Sequence, residues 1–334
     1  MVTHLTLRDL VLIARLQKQS ASLCPVEALI RPRWPVWMAA RSLLTIGEAS
    51  TATYVLNESR GDDKHLQGFL QVEQPTARPE MHLHTVAPYL GNGQAYEDTR
   101  TIWSRLVNRA VSDAAERRIE RIYATVVDGS EAQHVLRSLS FSVYTRQDIL
   151  KLEPDTHPQA VAQAGIRPEQ STDSAALVRL YREVVPHLVQ QAEALIDHSI
   201  EAICGPMAWD QGEGFILESR TRIMGYGHLL SGSTGHWLSL LVHPEGYDQA
   251  ERLLDYGLAL LNYYPPLPVY CVVREYQGGI RAPLYDRGFT PLSTYCRMVK
   301  HTTVRVTEPA RTLVPALDPR AEIPRPTASH TEQQ

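Results

Sequence analysis

The chain has 334 residues, 43% of them hydrophobic and 21% charged, with a formal net charge of −4. This length suits two domains of ordinary size better than one small core, and the composition is that of a water-soluble globular protein. The mild negative charge offers no general attraction to nucleic acid or to an anionic membrane, and the apolar runs fall far short of a membrane span. The opening "MVTHLTLRDLVLIARLQ" places Arg8 and Asp9 ahead of a short apolar run, without the basic start and small-residue cleavage site of a signal peptide. The four cysteines, Cys24, Cys204, Cys271 and Cys296, are too sparse for a disulfide framework and form no C-x-x-C pair. They read as reduced thiols of a cytoplasmic protein.

In chain order, "TATYVLNES" and "KHLQGFLQVEQ" read as paired strands, and "EMHLHTVAP" as a third strand ended by proline. "TRTIWSRLVNRAVSDAAERRI" is a long helix with Ile102, Leu106, Ala110 and Ala114 inward. A strand "RIYATVVD", a helix "GSEAQHVLRSL" and a strand "FSVYTRQDILKL" follow. The polar, proline-punctuated stretch after Leu152 divides the chain into 1–155 and 166–303, with 156–165 as a linker. The second part opens on a helix with Leu177, Leu180, Val184 and Leu188 on one face, which Pro186 ends or kinks. "GFILES" and "IMGYGHLLS" form a hairpin, and "HWLSLLVHP" is a third strand, again ended by proline. A helix with Ala250, Leu253, Leu254, Leu258 and Leu261 inward precedes the strand "PVYCVVREY", a short helix or turn, and a last strand "FTPLSTYCRMVK". The final segment, 304–334, carries five prolines and no apolar period, and reads as a disordered tail or surface strap.

The order of elements thus occurs twice. Gly68 answers to Gly225, Pro88 to Pro244 and Phe141 to Phe289, with the small drift in spacing that loop insertions produce. Such a unit resembles the GCN5-related N-acetyltransferase (GNAT) fold. The carriers of the resemblance are the "GFLQVE…MHLHTVAP" and "GYGHLLS…WLSLLVHP" strand pairs, the long helix after each proline, and the "LSF" and "RGF" turns. The fold class expected is therefore α/β (α+β): two tandem GNAT-like domains, each a mixed, mostly antiparallel sheet flanked by helices.

The resemblance implies an acyl transfer from acetyl-CoA, or another acyl-CoA, to an amine of a small molecule or peptide, with no nucleic acid or membrane partner. The cofactor would lie between two parallel strands that splay apart, its diphosphate on the turn before the long helix. The family's Arg/Gln-x-x-Gly-x-Gly/Ala signature is worn here. "HPEGYDQAERLL" keeps Gly246 and Ala250, but Asp248 and Glu251 add negative charge. Gly91-Asn92-Gly93 in the first half offers a backbone nest or a plain flexible turn. The second half is the better cofactor site, because its strand, proline and helix stand closest together. The contacts implied are Leu241, Val242, Gly246, Tyr247, Gln249 and Ala250. The acid that protonates the leaving thiolate is assigned to Tyr285, one residue out of the family register, with a packing tyrosine as the alternative. In that register Gln277 takes the place of the family's Asn. Bases are sought among Glu218, His228, Glu73 and His236, each of which also suits a structural role. His82 and His84 share a strand face as a two-His metal half-site would, but nothing completes the set, and no metal is expected. Trp34 and Trp37, beside Arg31 and Arg33, line the acceptor entrance or pack in the core. A non-catalytic binding or scaffold protein and a CoA sensor are the competing readings.

Overall fold

The computed structural model describes residues 2–44, 50–60, 64–75, 78–90, 96–154, 165–193, 212–219 and 222–302. The Gly91-Asn92-Gly93 turn, Cys204, the tail and all of the linker but Gly165 lie outside them.

The described strands are β1 (Val2–His4), β2 (Ala21–Ser22), β3 (Ser50–Arg60), β4 (Lys64–Gln74), β5 (Glu80–Ala87), β6 (Arg121–Val127) and β7 (Ser142–Leu152), followed by β8 (Ile166–Pro168), β9 (Gly212–Ser219), β10 (Arg222–Ser231), β11 (His236–Val242), β12 (Val269–Arg274) and β13 (Thr290–His301). The helices are α1 (Asp9–Leu16), α2 (Pro25–Ile30), α3 (Pro35–Leu44), α4 (Tyr96–Glu116), α5 (Glu131–Ser138), α6 (Ser174–Val184), α7 (His187–Glu193), α8 (Ala250–Leu260) and α9 (Arg281–Asp286).

The two long helices follow their apolar spacing. Ile102, Leu106, Ala110 and Ala114 of α4 are buried, as are Ala250, Leu253, Leu254 and Leu258 of α8 with Leu261 just beyond it. A glycine lets each helix lie close on its hairpin. A Cβ on Gly68 would fall 2.4 Å from Ile102 of α4, and one on Gly225 would fall 3.0 Å from Leu253 of α8. The "LSF" and "RGF" turns also match. Ser140 and Gly288 hold φ of 66° and 86°, and Phe141 and Phe289 donate backbone hydrogen bonds to Leu136 and Leu284. Pro186 separates α6 from α7, as its missing N–H and ring demand. The break turns Leu188 outward, where it is 75% exposed; the continuous apolar face expected through that residue does not form.

One sheet joins all thirteen described strands, in the order β1-β3-β4-β5-β6-β13-β7-β12-β11-β10-β9-β8, with β2 paired to β5 off this path. The last strand of each half has crossed over. β13 pairs with β6 of the first half, β7 pairs with β12 of the second, and β7 and β13 pair with each other. Residue alternation on these strands divides the two faces. Leu150 packs with the α8 and α9 cluster, while Ile149 joins the cluster of α6 and α7. Cys296 and Met298 pack with α4 and α5, while Tyr295 faces the α6 side. Among the described residues, no helix is long and apolar enough to cross a membrane.

Candidate active site

Among the described residues each half contains one pair of parallel strands, and both pairs come apart at the corresponding place. β5 and β6 run in register from Glu80/Arg121 to His82/Tyr123, and β11 and β12 from His236/Val269 to Ser239/Val272. Beyond these points each pair opens into a V.

The first V is filled by the chain itself. β2 pairs with the inner edge of β5, Ala21 opposite Val86 and Ser22 opposite Thr85. Leu23 N donates to His84 O (2.7 Å), and Tyr89 N donates to Gln19 O (2.7 Å). The edge of β5 that faces the cleft therefore carries a strand of its own molecule. β5 is also bulged: Gln71 lies opposite Thr85 and Val72 opposite Leu83, which leaves His84 as the extra residue.

The second V differs on both counts. β11 pairs with β10 without a register shift, and among the described residues no strand covers its inner edge past Ser239. Gln277 stands at the fork instead. Its Nε2 donates to Leu240 O (2.8 Å), and its Oε1 accepts from Arg274 N (3.3 Å). A side-chain amide thus takes the place of a peptide group between the strands, satisfying both backbone atoms while holding them apart.

On the α2, α6 and α7 side, the two forks open into one partly enclosed cavity. His82, His84, Tyr123 and Thr125 line it from the first half, and Trp237, Ser239, Leu241 and Arg274 from the second. Gln147 and Arg297 come from the exchanged strands between them. The charged centre of the cavity is Glu193, at the end of α7. Its Oε1 is 2.9 Å from Arg274 Nη1 and 2.8 Å from Arg297 Nη1, and its Oε2 accepts from Tyr181 Oη at 2.8 Å. Burial alone raises the pKa of this carboxyl. The Arg274 and Arg297 guanidiniums outweigh burial and hold the group below the usual carboxylate range. Arg297 also lies over the ring of Tyr144, 5.5 Å from its centroid. A carboxylate so firmly ionised and so fully bonded anchors the wall and is a poor base.

The residues singled out from the sequence are dispersed. Tyr285 lies on α9, 46% exposed and outside the cavity. Glu218 ends β9 and pairs with Arg167 (3.1 Å). His228 is buried, its ring against Gly212 rather than in the cavity, and burial pushes its pKa down to about 4. His236 is also buried, its Nε2 bonded to Pro265 O (2.9 Å). Leu241 lines the cavity, and Val242 continues the same strand beside it. Gly246, Tyr247, Gln249 and Ala250 form the turn into α8, but its N–H groups are engaged internally. Glu245 N donates to His243 Nδ1, Gly246 N to His243 O, and Ala250 N to Tyr247 O. Trp34 and Trp37 are 70% and 66% exposed; they neither line the cavity nor pack in the core.

Both histidines of "MHLH" do face the cavity, with different partners. His82 stacks on Tyr123 and bonds to Glu80, while His84 bonds to Glu27. Ligand atoms of Glu27, Glu73 and His84 lie within 4.8 Å of one another, and the Arg33 guanidinium already sits 2.9 Å from Glu27. Two carboxylates thus join His84, and not His82, in a candidate ligand set; the strand-face reading of the two histidines does not include them, because Glu27 and Glu73 come from other elements. Cys24 lines the cavity beside them, and burial with the nearby Glu27 pushes its thiol up to about 12, which keeps it unreactive. Sequence reasoning missed Glu193, Arg274 and Arg297. The available signal was an arginine interrupting each of the apolar runs "VYCVVR" and "TYCRMV".

No protein-family model matches the sequence, and no curated protein does. Solved structures do. A tandem GNAT protein from the clavulanic acid biosynthesis pathway is 15% identical with a TM-score of 0.52, over 91% of this chain and 98% of the other. A Drosophila protein is 9% identical with a TM-score of 0.50, over 90% and 98%. A GCN5-related N-acetyltransferase from Sphaerobacter thermophilus is 13% identical with a TM-score of 0.47, over 90% and 95%. With the duplicated order of elements and the paired forks in view, the chain has the tandem GNAT fold, two GNAT-like units in one sheet.

Proposed function

We propose that the protein transfers an acyl group from acetyl-CoA, or another acyl-CoA, to an amine held in the central cavity. The observation that carries this reading is the second fork, where no described strand covers the inner edge past Ser239, where Gln277 bridges the opening, and which leads into the partly enclosed cavity. An extended pantetheine arm suits such an edge, because its amides can continue the ladder at Val242, whose backbone groups share the inner side of the strand with Leu240. The two halves then divide the work: the second receives the acyl donor, and the first contributes wall. Gly246, Tyr247, Gln249 and Ala250 border the diphosphate end. Their turn carries Glu245 and Asp248 and uses its own N–H groups, so affinity comes from the strand edge more than from a phosphate nest.

The reaction needs little covalent help. The amine lone pair attacks the thioester carbonyl carbon, the C–N bond forms and the C–S bond breaks. The thiolate leaves with the electron pair and takes up a proton, and the amine loses one. Of the groups near the forks, His82, His84 and Ser239 face the cavity and can relay these protons. Tyr285, one residue out of the family register, lies outside the cavity and would reach it only if α9 shifted.

Calorimetric titration with acetyl-CoA, using dephospho-CoA as a control, tests the reading. Micromolar binding at one site per chain, followed by thiol release with an amine panel, is expected. No binding at millimolar cofactor ends the acyl-CoA reading. It would favour a binding protein, for which the acidic, self-bonded turn already speaks.

A further inference from the structure

Among the described residues, the lining of the central cavity holds two arginines and one carboxylate. Arg274 and Arg297 converge on the same oxygen of Glu193, and their side chains are 9% and 12% exposed. Among the described residues neither makes an ion pair with any other carboxylate. Tyr181 and Tyr144 add hydroxyl donors to Glu193, not counter-charge. Among the described lining residues one positive charge is therefore in excess, in a half-enclosed space where an unbalanced charge is costly. Each guanidinium has five N–H donors in a planar fork, and Glu193 occupies one nitrogen of each at the distances above. The remaining donors belong to residues that line the cavity. The walls around them are largely apolar or aromatic: Leu83, Ala124, Val185, Trp237, Leu241 and Tyr276.

We propose that the cavity recognises a carboxylate on its ligand through Arg274 and Arg297, so that the acceptor is an amine with an apolar body that also carries a carboxylate. The amine half of this assignment rests on the acyl-transfer reading; the carboxylate half rests on the cavity alone. A fork-to-carboxylate contact is the bidentate geometry that arginine favours, and it completes the charge balance that Glu193 leaves unfinished. The apolar body covers Trp237 and its neighbours, and the amine is turned toward Ser239, the last paired residue before the second fork.

The test uses the full chain and three probes of one shape: phenylalanine, 3-phenylpropionate and phenethylamine. Binding is measured by calorimetry without any acyl-CoA, so that its outcome is independent of transferase activity. Phenylalanine and 3-phenylpropionate are expected to bind and phenethylamine to bind at least about tenfold more weakly, with affinity falling as salt rises. Arg297→Gln should weaken both carboxylates about tenfold, while circular dichroism shows an unchanged fold because Arg274 still neutralises Glu193. Arg297→Lys should fall between, since it keeps the charge and loses the fork. Phenethylamine binding as tightly as the carboxylates, no binding of 3-phenylpropionate at millimolar concentration, or an indifferent Arg297→Gln would each overturn the proposal. Displacement of 3-phenylpropionate by CoA alone would also overturn it, by giving the arginines to a phosphate. Thiol release from acetyl-CoA with phenylalanine is then a separate readout. Its failure beside intact carboxylate binding would reject the transfer reaction and leave the recognition site standing.

Discussion

The two forks start from the same architecture and have been put to different uses. In the first, residues 19–23 lie along the strand edge as an internal substitute for a bound ligand, and the bulge at His84 turns an extra side chain toward the cavity. In the second, the strand is regular, no described strand covers its inner edge past Ser239, and Gln277 bonds to Leu240 O at the fork. Duplication supplies two clefts. Filling one with a few residues of chain converts it from a site into a wall, without disturbing the helix and strand packing behind it.

The largest expected effect comes from the centre that both halves share. Glu193→Gln leaves two buried guanidiniums without a counter-ion, and should destabilise the fold by about 3–5 kcal/mol in urea unfolding. A loss below about 1 kcal/mol would mean that the halves are not tied together there. The native ion pair also has a pH signature. Because the folded carboxyl titrates below its unfolded value, its contribution is present above the unfolded pKa and is lost as pH falls through the folded one.

Next in size is His228, whose place in the first half is taken by Gln71, a neutral amide bonded to Pro35 O. Unfolded, this histidine protonates near 6.5; folded, it does not until about 4. The unfolded state therefore binds the extra proton, and stability falls as pH drops through that window, by roughly 3 kcal/mol at its lower end. His228→Leu should flatten that part of the stability–pH curve. A curve of unchanged slope would refute the assignment.

Gln277→Leu sharpens the contrast between the forks directly. It strands Leu240 O and Arg274 N, for about 1–3 kcal/mol, and should weaken acetyl-CoA binding by closing or distorting the second fork alone. Unchanged affinity would shift suspicion to the first. The smallest effects are expected at Tyr285→Phe and Glu218→Gln, which lie away from the cavity: stability within about 0.5 kcal/mol and no change in turnover. A large loss of activity at Tyr285→Phe would instead bring α9 into the active site.

Much of this fold is legible along the chain, because periodicity reports burial locally. The faces of α4 and α8, the prolines that end β5 and precede α8, and the turns before Phe141 and Phe289 all follow from spacing and backbone chemistry. Leu188 misled because Pro186 resets the helical phase, which a periodic template does not register. The exchange of β7 and β13 was beyond reach for another reason: the alternation of a strand tells which face it buries but not which strand it pairs with. The cavity was illegible in a similar way. Glu193, Arg274 and Arg297 are 104 residues apart at the extremes, and their meeting depends on that same exchange. Gln277 could be placed by register, but its role as a bridge needed the fork to be seen.

The crossing of β7 and β13 also bears on how the chain is made. β6 and β7 emerge early from the ribosome, yet the strand that belongs between them is Thr290–His301, near the far end. Until it is synthesised, the first half carries two unsatisfied sheet edges beside an apolar surface, a condition that favours association with other chains. A gene fragment encoding the first half alone would yield an aggregating product, and so would one encoding the second.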